Sequence, residues 1–211
     1  SACDTDPPME TDGIQIVATT YPVYCFVTAV TDGVDQVSVN LLINQSVSCL
    51  HDYTLTVNDM KCLERADVIV LNGVGLEDFM ADALTASDAA LIDCSQGVEL
   101  LELSGHEGHN HDAEYDPHIW MDPLRAAQMV QTICDNLCLL DSANADRYRS
   151  NTEIAIQHLN DLYYTWSDIF LHLDGPYLIT FHEGFSYLAE AFHFKILCSI
   201  EEEEGSEISA K

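Results

Sequence analysis

Residues 142–173 read SANADRYRSNTEIAIQHLNDLYYTWSDIFLHL, and within them Tyr148, Thr152, Ala155, Leu159, Leu162, Trp166, Ile169 and Leu173 recur at alternating steps of four and three. Residues spaced in that way fall on one face of an α-helix, so the stretch predicts a single continuous helix with one apolar stripe. Ser142 is a capping candidate at its start, and Gly175-Pro176 closes it. At 1.5 Å per residue such a helix is roughly 45 Å long, more than a crossover between neighbouring strands requires. The stretch therefore reads as a rigid strut between two lobes.

What lies on either side fits that reading. Short runs rich in Val, Ile and Leu at Ile14 to Thr19, Val37 to Leu42, Val68 to Leu71 and Ala90 to Asp93 alternate with helical patterns near Tyr24 to Val30, Asn58 to Ala66 and Glu77 to Leu84. Two more strand-like runs follow the long helix, at Tyr177 to Phe181 and Lys195 to Ile200. Strands alternating with helices imply parallel sheets covered by helices, hence an α/β fold. Ala126, Val130, Ile133 and Leu137 mark a further helix just before the strut, opened by Asp122-Pro123.

The 211 residues are 47% hydrophobic, enough for one large domain or two small lobes, and hold no apolar run long enough to cross a bilayer. Seven Lys and Arg stand against 36 Asp and Glu, a formal charge of -29. A field of that sign repels phosphate backbones and argues against nucleic-acid binding, while it concentrates cations near the surface.

Histidines carry the functional signal. His51 in SCLHDY, His118 in EYDPHIWMDP and His182 in ITFHEGF each sit beside a carboxylate, at what read as loops. Zinc takes several neutral imidazoles, and each imidazole takes an acceptor on its other nitrogen that fixes its tautomer. Asp52, Asp116 and Glu183 are placed to be those acceptors. His51 follows one strand and His182 another, at the carboxyl ends where open α/β sheets bind ligands. A second cluster, GHEGHNHD, carries His106, His109 and His111 and reads as an auxiliary metal-binding loop. His158, His172 and His193 lie in helical or apolar stretches and read as ordinary packed or solvated residues.

The N-terminal SACDTDPPMETDG places small residues before Cys3 and an acidic, Pro-containing stretch after it, the pattern left when a bacterial lipoprotein signal is removed and the cysteine is acylated. A lipid there tethers a chain to the outer face of a membrane. The other seven cysteines, Cys25, Cys49, Cys62, Cys94, Cys134, Cys138 and Cys198, show no CxxC spacing, and most read as small core residues. Cys49, two residues before His51, could reach a metal.

TTYPVY, SCLHDYTLTVNDMKCLERADVIVLNGVGLEDF, DPHIWMDP, LITFHEGFSYLAEAF and the final SAK together resemble the metal-binding lipoproteins that feed bacterial ABC importers for zinc and manganese. The resemblance runs along essentially the whole chain. It implies His51, His118 and His182 as metal ligands, the helix from about Ser142 to His172 as the strut, and a His-rich loop of the kind found in zinc-specific members. At the third position zinc members carry His and manganese members Glu, so His182 implies zinc, with manganese the less favoured metal. Imidazole-rich, thiolate-poor sites independently suit zinc or copper better than manganese. Two features depart from the family pattern. Cys49 stands where members often have Glu, and members continue well past SAK, with a fourth, acidic ligand in that tail.

The expectation is an N-terminal tether at 1–13, an α/β lobe at 14–140 with the His-rich loop at about 104–115, the linking helix at 141–174, and the start of a second α/β lobe at 175–211, apparently incomplete. An incomplete lobe leaves apolar sheet surface open to self-association. The expected function is capture of zinc outside the cytoplasm and delivery to an ABC transporter permease, without catalysis. The alternatives are a surface metal buffer or adhesin with no permease, and a zinc-dependent hydrolase in which Glu183 serves as base. No HExxH accompanies the histidines to support the hydrolase.

Overall fold

A computed structural model describes residues 13–43, 53–103, 115–173, 175–181 and 183–200. The first lobe is a four-stranded, fully parallel sheet of β1 (Ile14–Ala18), β2 (Val37–Leu41), β3 (Val68–Leu71) and β4 (Ala90–Asp93), in the order β2-β1-β3-β4. β1 and β3 occupy the centre, paired Ile16 to Val68, Val17 to Ile69 and Ala18 to Val70. Because successive strand residues face opposite ways, the two strands feed two separate cores. Ile16, Ala18, Val68 and Val70 enter one, with Val23, Val27, Met129, Ile133, Leu137 and Tyr148. Val17 and Ile69 enter the other, with Leu42, Leu63 and Met80.

The helices are placed by those cores. α1 (Tyr21–Thr31) has Pro22 in its first turn, where a missing N–H costs nothing, and buries Val23, Val27 and Val30. On the opposite face, α2 (Val57–Glu64) starts with a reciprocal cap: the Thr56 hydroxyl accepts the Asp59 N–H, and the Asp59 carboxylate accepts the Thr56 N–H. The expected helix at Glu77 to Leu84 is a 3₁₀ turn at Asp78–Met80 followed by the short α3 (Ala81–Thr85). Asp122 and Pro123 do open α4 (Pro123–Leu140), with the Asp122 carboxylate accepting the Leu124 N–H.

The long helix is present as α5 (Ala145–Leu171), 27 residues, about 40 Å at the standard rise. Its start differs from expectation. Residues Ser142–Asn144 form a 3₁₀ turn, and no side chain caps α5. The entry is tied down by Asp141 instead, whose carboxylate accepts the Asn144 amide and the Tyr148 hydroxyl, both at 2.7 Å. The first half of α5 lies on α1 and α4 as a layer of the first lobe, with Tyr148, Asn151 and Thr152 buried. Further along, Leu162, Trp166 and Ile169 are exposed, while Tyr163 stacks on Phe192 and Phe170 meets both Phe192 and Phe194 edge-on.

Those two phenylalanines belong to the second lobe: β5 (Tyr177–Thr180), α6 (Ser186–Ala191) and β6 (Lys195–Ser199), with β5 and β6 parallel. Aromatic packing on the far half of α5 thus carries the second sheet. Tyr177, Ile179, Phe181, Ile196, Leu197 and Ile200 are exposed there. The cysteines divide more evenly than expected: Cys94 and Cys134 are buried, Cys62 and Cys138 half-buried, and Cys25 and Cys198 exposed. His158, His172 and His193 are all exposed.

Candidate metal centre

His118 is the one expected cleft ligand within the described residues. It precedes the 3₁₀ turn Ile119–Met121 that leads into α4. Asp116 makes it a defined group: one carboxylate oxygen accepts the His118 backbone N–H at 2.9 Å and meets ring Nδ1 at 2.7 Å. A carboxylate on Nδ1 keeps the proton there and leaves the lone pair on Nε2. Asp116 is buried while about a third of the His118 side chain is exposed, so the anchor is inside and the ring reaches out. Burial pushes the Asp116 carboxyl up, but hydrogen bonds from the His118 ring and backbone, with a further one from Ser186, outweigh it and hold the group below the usual carboxylate range.

The second lobe comes up against this ring. Gly184 has φ +115, and a Cβ built on it would lie 2.9 Å from both Nε2 and Cδ2 of His118. Only a residue without a side chain lets that backbone approach the imidazole. Trp120 lies on another side, its ring centroid 5.2 Å from that of His118. His118 therefore stands where the segment after β5 meets the segment before α4, at the junction of the lobes.

Two side chains from α4 and α6 lock that junction. Arg125, buried, donates to the Asp122 carboxylate at 2.8 Å, to the Glu99 carbonyl at 2.9 Å and to the Glu190 carboxylate at 3.1 Å. Its guanidinium lies 5.0 Å over the Tyr187 ring. Tyr187, fully buried, donates its hydroxyl to the Asp116 carbonyl and accepts the Leu101 N–H. On the other flank Asn72 reaches the Pro117 carbonyl at 2.9 Å. Asn72, Arg125, Tyr187 and Gly184 were not among the residues expected from sequence. Asn72-Gly73 after a strand and the glycine in HEG are the available signals in the sequence.

Asp116 lies within hydrogen-bond distance of the His118 ring. Glu183 is exposed beside Gly184. His51, His182, Asp52, Cys49, the loop residues His106, His109 and His111, and Cys3 lie outside the described residues. Among the described residues no group of three or more His, Cys, Asp or Glu side chains is arranged to hold a metal. What the described part provides is one imidazole with a prepared lone pair.

Parallel sheets in two lobes, joined by a long helix and meeting at a presented histidine, define the class of two-lobed α/β solute-binding proteins. The chain belongs to the family described as ZnuA, zinc-uptake complex component A, periplasmic, whose model matches residues 16–211. It is 29% identical over 194 residues to the high-affinity zinc uptake system protein ZnuA of Bacillus subtilis, a match covering 87% of this chain and 60% of that relative. Among solved structures, the AdcAII protein of Streptococcus pneumoniae superposes with a TM-score of 0.77 at 30% identity, covering 92% of this chain and 72% of the other. A Zn(II)-bound variant of AdcAII gives 0.81 at 29% identity, covering 93% of this chain and 73% of the other. The chain spans less than two thirds of the length of the curated relatives first matched.

Proposed function

We propose that this chain captures zinc outside the cytoplasm and hands it to the permease of an ABC importer, as a binding protein without catalysis. The observation that carries the proposal is the state of His118: Nδ1 bound to a buried carboxylate, Nε2 left to donate, at the junction of two lobes. His51 and His182 complete the imidazole set in this reading, with His106, His109 and His111 as a weaker auxiliary site and Cys3 as the lipid attachment that keeps the chain at the membrane. The charge of -29 draws the cation in. Membership of the zinc-uptake family and the Zn(II)-bound state of solved relatives support zinc over manganese.

Calorimetry on the metal-free chain tests it. One tight zinc is expected, weakened at least tenfold, about 1.4 kcal/mol, in His118→Ala and in His182→Ala. Because neutral imidazoles do the binding, zinc is expected to leave on acidification. Tight, stoichiometric zinc at pH 4.5, or an undiminished affinity in both variants, rules out a histidine-built site.

A further inference from the structure

The two backbone carbonyls before His118 are each held by a side chain distant in sequence. Tyr187 on α6 donates to the Asp116 carbonyl at 2.8 Å. Asn72, just past β3, donates through Nδ2 to the Pro117 carbonyl at 2.9 Å and to the Gly73 carbonyl at 3.1 Å. Both side chains are fully buried. One clamp thus comes from the second lobe and one from the first, on adjacent peptide groups.

Asn72 is itself built in. Its backbone N–H and that of Gly73 donate to the two oxygens of Glu77, at 2.7 and 3.1 Å, and the Thr19 hydroxyl donates to the same carboxylate at 2.7 Å. Two carbonyl acceptors on the nitrogen side fix the orientation of the Asn72 amide, since the flipped form would set oxygen against oxygen. In that orientation Oδ1 is buried and has no hydrogen-bond partner among the described residues. An unpaired buried carbonyl opposes folding, so Oδ1 gives no reason for asparagine here. The benefit must lie in what Nδ2 holds.

What it holds is the platform of the imidazole. The ring direction is set by the Asp116 carboxylate, and the position of that carboxylate is set by the Asp116–Pro117 backbone. We infer that Asn72 and Tyr187 are positioning residues for zinc capture, which fix this backbone so that Nε2 of His118 points in one direction before the metal arrives. The inference rests on His118 being a zinc ligand; neither residue touches the metal. A ligand arranged in advance loses less freedom on binding, and the gain appears as affinity.

The test uses Asn72→Ala and Tyr187→Phe in the full chain, with His118→Ala as reference. Zinc affinity is measured by competition with a chelator, metal-free stability by thermal melting, and the His118 ring by its Nδ1–H resonance in the metal-free protein. Both variants are expected to bind zinc about tenfold more weakly, in the range known for outer partners of metal ligands. Their melting temperatures should stay within a few degrees of the parent. The Nδ1–H signal, sharp in the parent, should broaden. If His118→Ala binds zinc like the parent, the zinc assignment falls and this inference with it. If His118→Ala is impaired while both positioning variants bind like the parent, the inference alone is overturned. Weaker zinc binding with an unaltered His118 resonance also overturns it. Should Asn72→Ala fail to fold, Tyr187→Phe decides alone, since it removes one oxygen and keeps the ring beneath Arg125.

Discussion

Glu77 is a carboxylate placed where a charge is unwelcome. Burial raises its pKa above the usual range, the hydrogen bonds from Thr19, Asn72 and Gly73 offset only part of that, and Asp93 adds to the rise. A native pKa above the unfolded value of about 4.3 means that the native state holds the proton longer as pH rises. The stability linked to this group is therefore full below that value and is lost as pH climbs through the native pKa. In urea unfolding between pH 4 and 7, the stability of the parent relative to Glu77→Gln is expected to fall as pH increases. A difference that rises with pH would show that the three hydrogen bonds win over burial. Gly184 makes the complementary case of sterics. Alanine there combines a strained φ of +115 with a Cβ 2.9 Å from the His118 ring, so Gly184→Ala should cost about 1–3 kcal/mol of stability. It should also weaken zinc binding, and chemical denaturation and calorimetry read the two effects separately. Sequence disclosed the pairing of His118 with Asp116 because the two stand two residues apart in the chain. Asn72, 45 residues away from its Pro117 partner, gives no such local sign: only the fold brings its amide to that carbonyl.

At the scale of elements, period was the reliable guide. The four-three stripe of α5 holds at its start, where Tyr148 and Thr152 are buried as the pattern requires; further along, Leu162, Trp166 and Ile169 are exposed and Tyr163 and Phe170 make the contacts instead. All six strands stand within a residue or so of the apolar runs that announced them. The helix entry differs because Ser142 offers the chemistry of a cap, whereas the structure uses a bond from Tyr148, in the first turn of α5, back to Asp141 before it. Helix boundaries shift by a residue or two between such alternatives. That bond is testable. Burial and the nearby Asp141 carboxylate push the Tyr148 phenol well above its ordinary value, so the phenol stays neutral and donating throughout the usual pH range. Tyr148→Phe should cost roughly 1.5–3 kcal/mol, the range for hydrogen bonds to charged groups, measured by denaturant unfolding. It should also leave α5 frayed at its first turn, visible as faster amide exchange from Ala145 onward. An unchanged midpoint and unchanged exchange would return the entry of α5 to local propensity.

Over the whole molecule, cations are scarce, and the location of one of them decides how the lobes hold together. Of the seven Lys and Arg in the chain, Arg125 is buried between lobes, engaging Asp122 and the Glu99 carbonyl on one side and Glu190 and the Tyr187 ring on the other. Its fork of donors serves three acceptors in different directions, which a lysine with a single ammonium does not reproduce. Asp122 is as buried as Arg125, while Glu190 is half exposed, so removing the guanidinium strands mainly Asp122. Breaking a buried pair from one side typically costs about 3–5 kcal/mol, most of it from the charge left behind. Arg125→Met is expected to approach that cost, and the damage should be uneven. The first-lobe sheet, anchored by its two cores, should keep its slow amide exchange, while α6, β5 and β6, joined through Arg125, Tyr187 and the aromatic contacts on α5, should exchange faster. Arg125→Lys should recover only part of the loss. If hydrogen exchange in Arg125→Met rises equally in both lobes, the guanidinium is a general stabiliser; confined to the second lobe, the rise identifies it as the tie that keeps Gly184 against His118.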